Sequence, residues 1–276
     1  MGRRRVTGAL AAMLALIAVA SGWTTPPPPA TPAVATSAVT LAATSSATAT
    51  ARAAATSGPA ANPGVANEIE RANPSRHEIA MTFDCGGHAG PTAEILRVLR
   101  EANVSATFFM IGDWVRAYPD LAREIAARHE FASHSDTHPD YRDLTDAQIV
   151  ADLEAAERTF VAITGKTTRP LWRAPSAARD NRVLAAAASA GWTQHAFWTI
   201  GSDEQGPLTG DSGDWRPFTA AQVEQNLLRA PNLGNGVITV SHCDSEQTRE
   251  VLPRVLRAWA AAGWRVTTLS DAMRGG

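Results

Sequence analysis

Four short stretches hold the residues able to do chemistry: "TFDCGG" at 82–87, "HSDTH" at 134–138, "WRAPSA" at 172–177 and "VSHC" at 240–243. They supply a carboxylate (Asp84) beside a thiol (Cys85), two histidines (His134, His138), a guanidinium (Arg173), and another histidine beside a second thiol (His242, Cys243). A carboxylate takes protons and an imidazolium gives them. Two imidazoles four residues apart have the spacing of metal ligands on one helical turn. That spacing alone is weak evidence, because a polar turn with satisfied imidazoles shares it. Position strengthens it, since each stretch follows a short apolar run.

The elements that would position these residues alternate along the chain. "EIAMTF" (78–83) reads as a strand and "PTAEILRVLREAN" (91–103) as a helix, then "ATFFMIG" (106–112) as a strand. A helix over 120–129 and an extended "EFASH" (130–134) follow. The clearest helix is 144–165, with Thr145 and Gln148 as a capping box and Gly165 as its stop. Beyond it come "PLWR", a helix at 179–190, "HAFWTI", a helix near 219–229, "GVITVSH", a helix at 247–262 and "WRVTTLS". Strands alternating with helices predict a parallel α/β fold, and an open doubly wound sheet and a barrel both fit the pattern. In either, chemistry gathers at the carboxyl ends of the strands, where all four stretches lie.

The rest of the chain reads differently. Residues 1–20 have the arginine-rich start, apolar stretch and Ala18-Val19-Ala20 cleavage site of an export signal. The apolar run is short for a bilayer span, so no stable membrane insertion is expected after cleavage. Residues 21–70 are rich in Ala, Thr, Pro and Ser and lack the apolar side chains needed to offset ordering entropy, which predicts a disordered linker. Residues 71–276 suit one domain with a sizeable core. A formal charge of −2 gives no nucleic-acid footprint. Two cysteines in an exported chain raise the question of a disulfide.

The four stretches, with "DSGDW" at 211–215, resemble the motifs of the polysaccharide deacetylases that share the NodB homology domain (carbohydrate esterase family 4), over residues 75–272. T-F-D-D-G is matched by "TFDCG", H-[ST]-x-x-H by "HSDTH", and R-x-P-x-[GY] through Pro175 by "RAPSA". D-x-x-D-W is similar to "DSGDW", and a strand ending Leu-x-His to "ITVSH", which lacks the Leu. The resemblance implies an irregular (β/α)7 barrel that removes acetyl groups from an N- or O-acetylated polysaccharide of peptidoglycan, chitin or xylan type. It assigns Asp84 as base, Arg173 as its orienter and His242 as acid, with substrate contacts at Pro175, Ser176, Asp211 and Trp215. It places a divalent metal on His134, His138 and the residue at 85, here Cys85, whose thiolate would favour zinc. A secreted protein, free or associated with the cell wall, and a monomer are expected.

Cys85 stands where the family has its metal-binding Asp, and three readings are open. It is a thiolate ligand that favours zinc, a disulfide partner of Cys243, or an inert filler. The fourth motif is open between Asp203 in "GSDEQ" and Asp211-Trp215. Trp215 reads as an apolar floor for an acetyl methyl or a sugar ring, and Trp198 reads as core. Two other classes of function compete: a carbohydrate-binding protein of the same fold with impaired catalysis, and a thiol hydrolase using Cys85 or Cys243 with His242.

Overall fold

The computed structural model describes residues 64–275. The export signal of 1–20 and most of the linker of 21–70 lie outside them. In chain order the elements are β1 (Asn67–Ile69), β2 (Glu78–Cys85), α1 (Thr92–Glu101), β3 (Thr107–Met110), α2 (Gly112–Ala117), α3 (Pro119–Arg128), β4 (Glu130–Ser133), α4 (Asp146–Thr164), β5 (Leu171–Trp172) and α5 (Asn181–Ser189). They continue with β6 (Gln194–Ala196), β7 (Ile200–Asp203), β8 (Gly206–Thr209), α6 (Ala220–Arg229), β9 (Val237–His242), α7 (Glu246–Ala261), β10 (Arg265–Thr267) and α8 (Leu269–Met273).

Eight strands form one parallel sheet in which β1, β6, β5, β4, β3 and β2 are successive neighbours. Ile79 and Ala80 pair with both β9 and β10, and Thr82–Asp84 pair with both β9 and β3. A strand has two edges, so β9 takes one edge of β2, and β3 and β10 share the other end to end. The sheet curls into an open barrel. Thr199 stitches its two ends: its hydroxyl donates to the Glu70 carbonyl at 2.7 Å and its N–H to the Ile238 carbonyl at 3.1 Å.

Residues from seven strands fill the inside of the curl: Ile69, Ala80, Phe109, Ala132, Leu171, Ala196 and Ile238, closed by Leu269 and Ala272 of α8. The outer face of β2, with Ile79, Met81 and Phe83, packs against Leu96 and Leu99 of α1 and Val251, Leu252 and Val255 of α7. Strand side chains alternate between these two layers. Helix α4 has the expected capping box at Thr145 and Gln148, and Gly165 ends it at φ 73°.

Four features depart from the sequence reading. β1 lies inside the stretch read as linker; Ile69 is buried and Glu68 pairs with Arg179, so the domain begins before residue 71. "HAFWTI" is not one strand: β6 stops at Ala196, and Ile200 opens an antiparallel hairpin, β7–β8. The helix α2 starts at Gly112, where the sequence read as strand. A short helix, α8, follows β10.

Candidate active site

Strand alternation assembles the site. From the inward residues Ala80, Ala132, Leu171 and Ile238, an even number of steps leads to Asp84, His134, Arg173 and His242. All four are therefore turned inward at the carboxyl rim of adjacent or near-adjacent strands.

Asp84 is 7% exposed and Arg173 is 1% exposed. Arg173 Nη1 donates to Asp84 Oδ1 at 2.6 Å and to Thr82 Oγ1 at 3.0 Å, and its Nε donates to the Ala196 carbonyl at 3.1 Å. The guanidinium lies 4.0 Å over the Phe109 ring. Burial pushes the Asp84 carboxyl up, but the charges of Arg173, His134 and His242 and the Arg173 bond outweigh it and hold the group below its usual range. The expected pairing of Arg173 with Asp84 is present.

His242 ends β9. Its Nδ1–H donates to Asp214 Oδ1 at 2.7 Å, and its backbone N–H donates to Asp214 Oδ2 at 2.8 Å. Thr248 from α7 donates to the same Oδ2 at 2.6 Å. Burial pulls the imidazolium down, yet the Asp214 bond and charge, helped by Asp84 and Asp244, raise it to about 9. Asp214 was not singled out from the sequence, although it is the second acid of "DSGDW". Asp203, the rival for that motif, lies in the hairpin and pairs with Arg229 at 2.7 Å and Asn232 at 3.0 Å.

The "HSDTH" segment is a loop after β4, not a helical turn, with Ser135 and His138 in left-handed conformations at φ 77° and 62°. Two helices hold it. Asp152 of α4 accepts from the Asp136 N–H at 2.8 Å and from Thr137, and Arg116 of α2 pairs with Asp136 at 2.8 Å. The loop carbonyls of Ser135 and Asp136 accept from the first N–H groups of α2. A Cβ at Gly112 would fall 2.0 Å from Asp136 Oδ1, so this close approach needs glycine. His134 donates Nδ1–H to the Arg173 carbonyl at 3.0 Å, which leaves Nε2 3.7 Å from Asp84 Oδ2. Burial lowers His134 to about 4 and also lowers His138.

Cys85 is one step past Asp84 and so faces the opposite layer. It is fully buried among the outer apolar residues and is disulfide-bonded to Cys243, with Cα atoms 5.0 Å apart. Cys85 is thus not a thiolate ligand, and the zinc preference built on it goes too. The thiol hydrolase has no free thiol among the described residues. An imidazole fixed through a backbone carbonyl is how metal-binding histidines are held, but a catalytic zinc takes three protein ligands. Among the described residues no cluster of three or more His, Cys, Asp and Glu could hold an ion. The residues present do not fit the metal site that the resemblance implied.

Asp84, His134, His138 and His242 line one cavity of about 550 Å³ together with Ser176, Trp198, Asp211 and Trp215. They also line a smaller one of about 290 Å³ with Gly86, Gly87 and Asp244. Ser176 sits in a left-handed turn at φ 51°. Pro175 is buried and shapes that turn without lining the cavity. Asp211 accepts from the Gly213 N–H and the Trp215 indole, at 2.8 and 3.1 Å. Trp215 is 60% exposed. Trp198, read as core, is only half-buried and forms part of the wall. His195 also went unnoticed in the sequence. It is fully buried, and its Nε2 accepts the Ala174 N–H at 3.2 Å, steadying the turn next to Arg173.

A curled parallel sheet with paired acids and histidines at its carboxyl rim defines a class of hydrolase, and comparison names it. The polysaccharide deacetylase family profile matches residues 71–195. A chitooligosaccharide deacetylase of Bradyrhizobium sp. is 35% identical over 165 residues, covering 59% of this chain and 69% of that one. The chain belongs to the polysaccharide deacetylase family. The peptidoglycan-N-acetylmuramic acid deacetylase PdaA of Bacillus subtilis is 32% identical over 129 residues, covering 46% of this chain and 49% of that one. Its structure superimposes with a TM-score of 0.66 at 25% identity, covering 76% and 86% of the two chains. A family 4 pseudoenzyme from Bacillus anthracis shares the fold with a TM-score of 0.67 at 23% identity, over 75% of this chain and 69% of that one. Three further curated relatives are matched over 72%, 60% and 42% of their own lengths.

Proposed function

We propose that this chain is an exported hydrolase that removes acetyl groups from an N- or O-acetylated polysaccharide, with Asp84 as general base and His242 as general acid. One observation carries the reading: the two groups line the same cavity, and each is pinned by a buried partner of opposite charge. Asp84 takes a proton from a water that attacks the acetyl carbonyl. The backbone N–H of Ser176, a residue of the cavity wall, is the donor assigned to the developing oxyanion. His242, cationic at neutral pH, gives its proton to the departing amine or alkoxide. The C–N or C–O bond then breaks and acetate leaves. Asp214 orients the acid, Asp211 braces the Trp215 indole, and Trp215 offers a face to a sugar ring. Among the described residues His134 and His138 have no third ligand beside them, so the proton transfers fall to Asp84 and His242 themselves.

Relatives named for chitooligosaccharide and for peptidoglycan support a glycan polymer as substrate. A structural disulfide is at home in an oxidising compartment, which supports secretion and a cell-wall location. Acetate release from acetylated peptidoglycan, chitooligosaccharides and acetylxylan tests the reading, and no release from any of the three overturns it. The missing third ligand favours one second reading, a glycan-binding protein with impaired catalysis. Binding to one of these polymers without acetate release is its signature.

A further inference from the structure

Most polar groups around the larger cavity already have a partner within hydrogen-bond distance. Asp84 is neutralised by Arg173, and the His242 imidazolium by Asp214. Both oxygens of Asp211 are occupied, one by the Gly213 N–H and one by the Trp215 indole. Arg216 is the exception. Its guanidinium lines the cavity, lies 4.6 Å over the Trp215 ring and 5.8 Å from the Phe218 ring, and has no ion pair or side-chain hydrogen bond among the described residues. Its backbone is fixed, with the Arg216 N–H donating to the Gly213 carbonyl at 3.0 Å. The backbone from which the side chain springs is therefore anchored, and the flat cation lies against an aromatic face that is itself braced by Asp211. A stacked guanidinium keeps its in-plane N–H groups free, and these match the two oxygens of a carboxylate.

We infer that Arg216 recognises a carboxylate on the acetylated glycan, so that the preferred substrate is an acid-bearing amino sugar or uronate polymer and not a neutral one. The inference rests on the glycan-hydrolase reading but concerns binding alone. Two sources supply the same chemistry: a lactyl ether carboxyl, as on muramic acid, and a uronic acid carboxyl. A neutral chain would leave the cation solvated and gain nothing from it.

Calorimetry with the full chain tests this. The ligands are oligosaccharides carrying lactyl or uronate carboxyls and the same oligosaccharides with the carboxyl reduced to an alcohol. The expected result is about fivefold tighter binding of the acid form in at least one series, falling as salt is raised, as suits an ion pair at an exposed residue. The series that shows the preference identifies the source. Arg216→Gln brings the ratio of the two affinities to near one, and Arg216→Glu inverts it, which loss of shape alone would not do. Equal affinity for acid and alcohol forms in both series, or a ratio unchanged in Arg216→Gln, overturns the proposal. Acetate release, followed in parallel, reports on the hydrolase reading separately, because a carboxylate preference in binding does not require turnover.

Discussion

The two sides of the rim are built to different standards. On one, Asp84 with Arg173 and His242 with Asp214 form two closed pairs, the first buried and the second open to the cavity at His242, and each is fixed by further hydrogen bonds. On the other, His134 and His138 share a well-braced loop, yet nothing among the described residues completes their ligand set. The difference comes from strand parity. The acid–base side uses residues an even number of steps from the barrel interior, which a strand delivers without help. A third ligand at 85 would need two consecutive strand residues, Asp84 and Cys85, to serve one face. β2 stays regular through Cys85, so that side chain goes to the helix layer and is locked to Cys243.

Removing a member of the complete side has the largest expected effect. Asp84→Asn and His242→Ala should each cut acetate release by about 10²–10⁴-fold while circular dichroism stays native. Turnover that survived either change would show that the closed pairs are not what does the chemistry.

The disulfide comes next. Cys85→Ser with Cys243→Ser should lower unfolding free energy by about 2–5 kcal/mol in denaturant titration, because the bond closes a long loop. Cys243→Ser alone frees the Cys85 thiol and sharpens the comparison further. Because residue 85 faces the helix layer, zinc content by mass spectrometry should not rise above that of the parent protein. A gain of one tightly bound zinc would mean that Cys85 reaches the histidines after all.

The smallest effect is expected at His195. Leaving the Ala174 N–H unpaired in His195→Leu should cost about 1–3 kcal/mol of stability and lower kcat more than it raises KM, since the Arg173 turn loosens. His195→Gln, whose amide oxygen can accept the same N–H, should recover most of the kcat. Equal losses in both variants would point to packing alone.

Much of this was legible in the sequence. Short apolar runs ending in Asp84, His134, Arg173 and His242 located the rim, because period-2 strands and helix-period segments alternate plainly around them. Alternation alone could not decide Cys85, because the family motif sets two consecutive acids on this rim; the bond to Cys243 decides it. Asp214 was hidden by its place in an irregular turn, where periodicity carries no information, and only its Asp-Trp neighbours marked it. His195 sits in an apolar-looking strand, and its role depends on a contact with a backbone N–H in the turn that follows the neighbouring strand. β1 was lost in a composition that resembled linker, since three residues are too few to show a period.

The central claim is that His242, held cationic by Asp214, is the acid opposite Asp84. The pH dependence of kcat for acetate release tests it most directly, in the parent protein and in Asp214→Asn. The His242 imidazolium is raised to about 9, so the competent protonated form is present below that pH and is lost as pH rises through it. The account predicts an alkaline limb near pH 9 in the parent protein. In Asp214→Asn the limb should move downward, toward the ordinary imidazole range. A limb that stays in place when Asp214 is neutralised, or a profile with no alkaline limb, would contradict it.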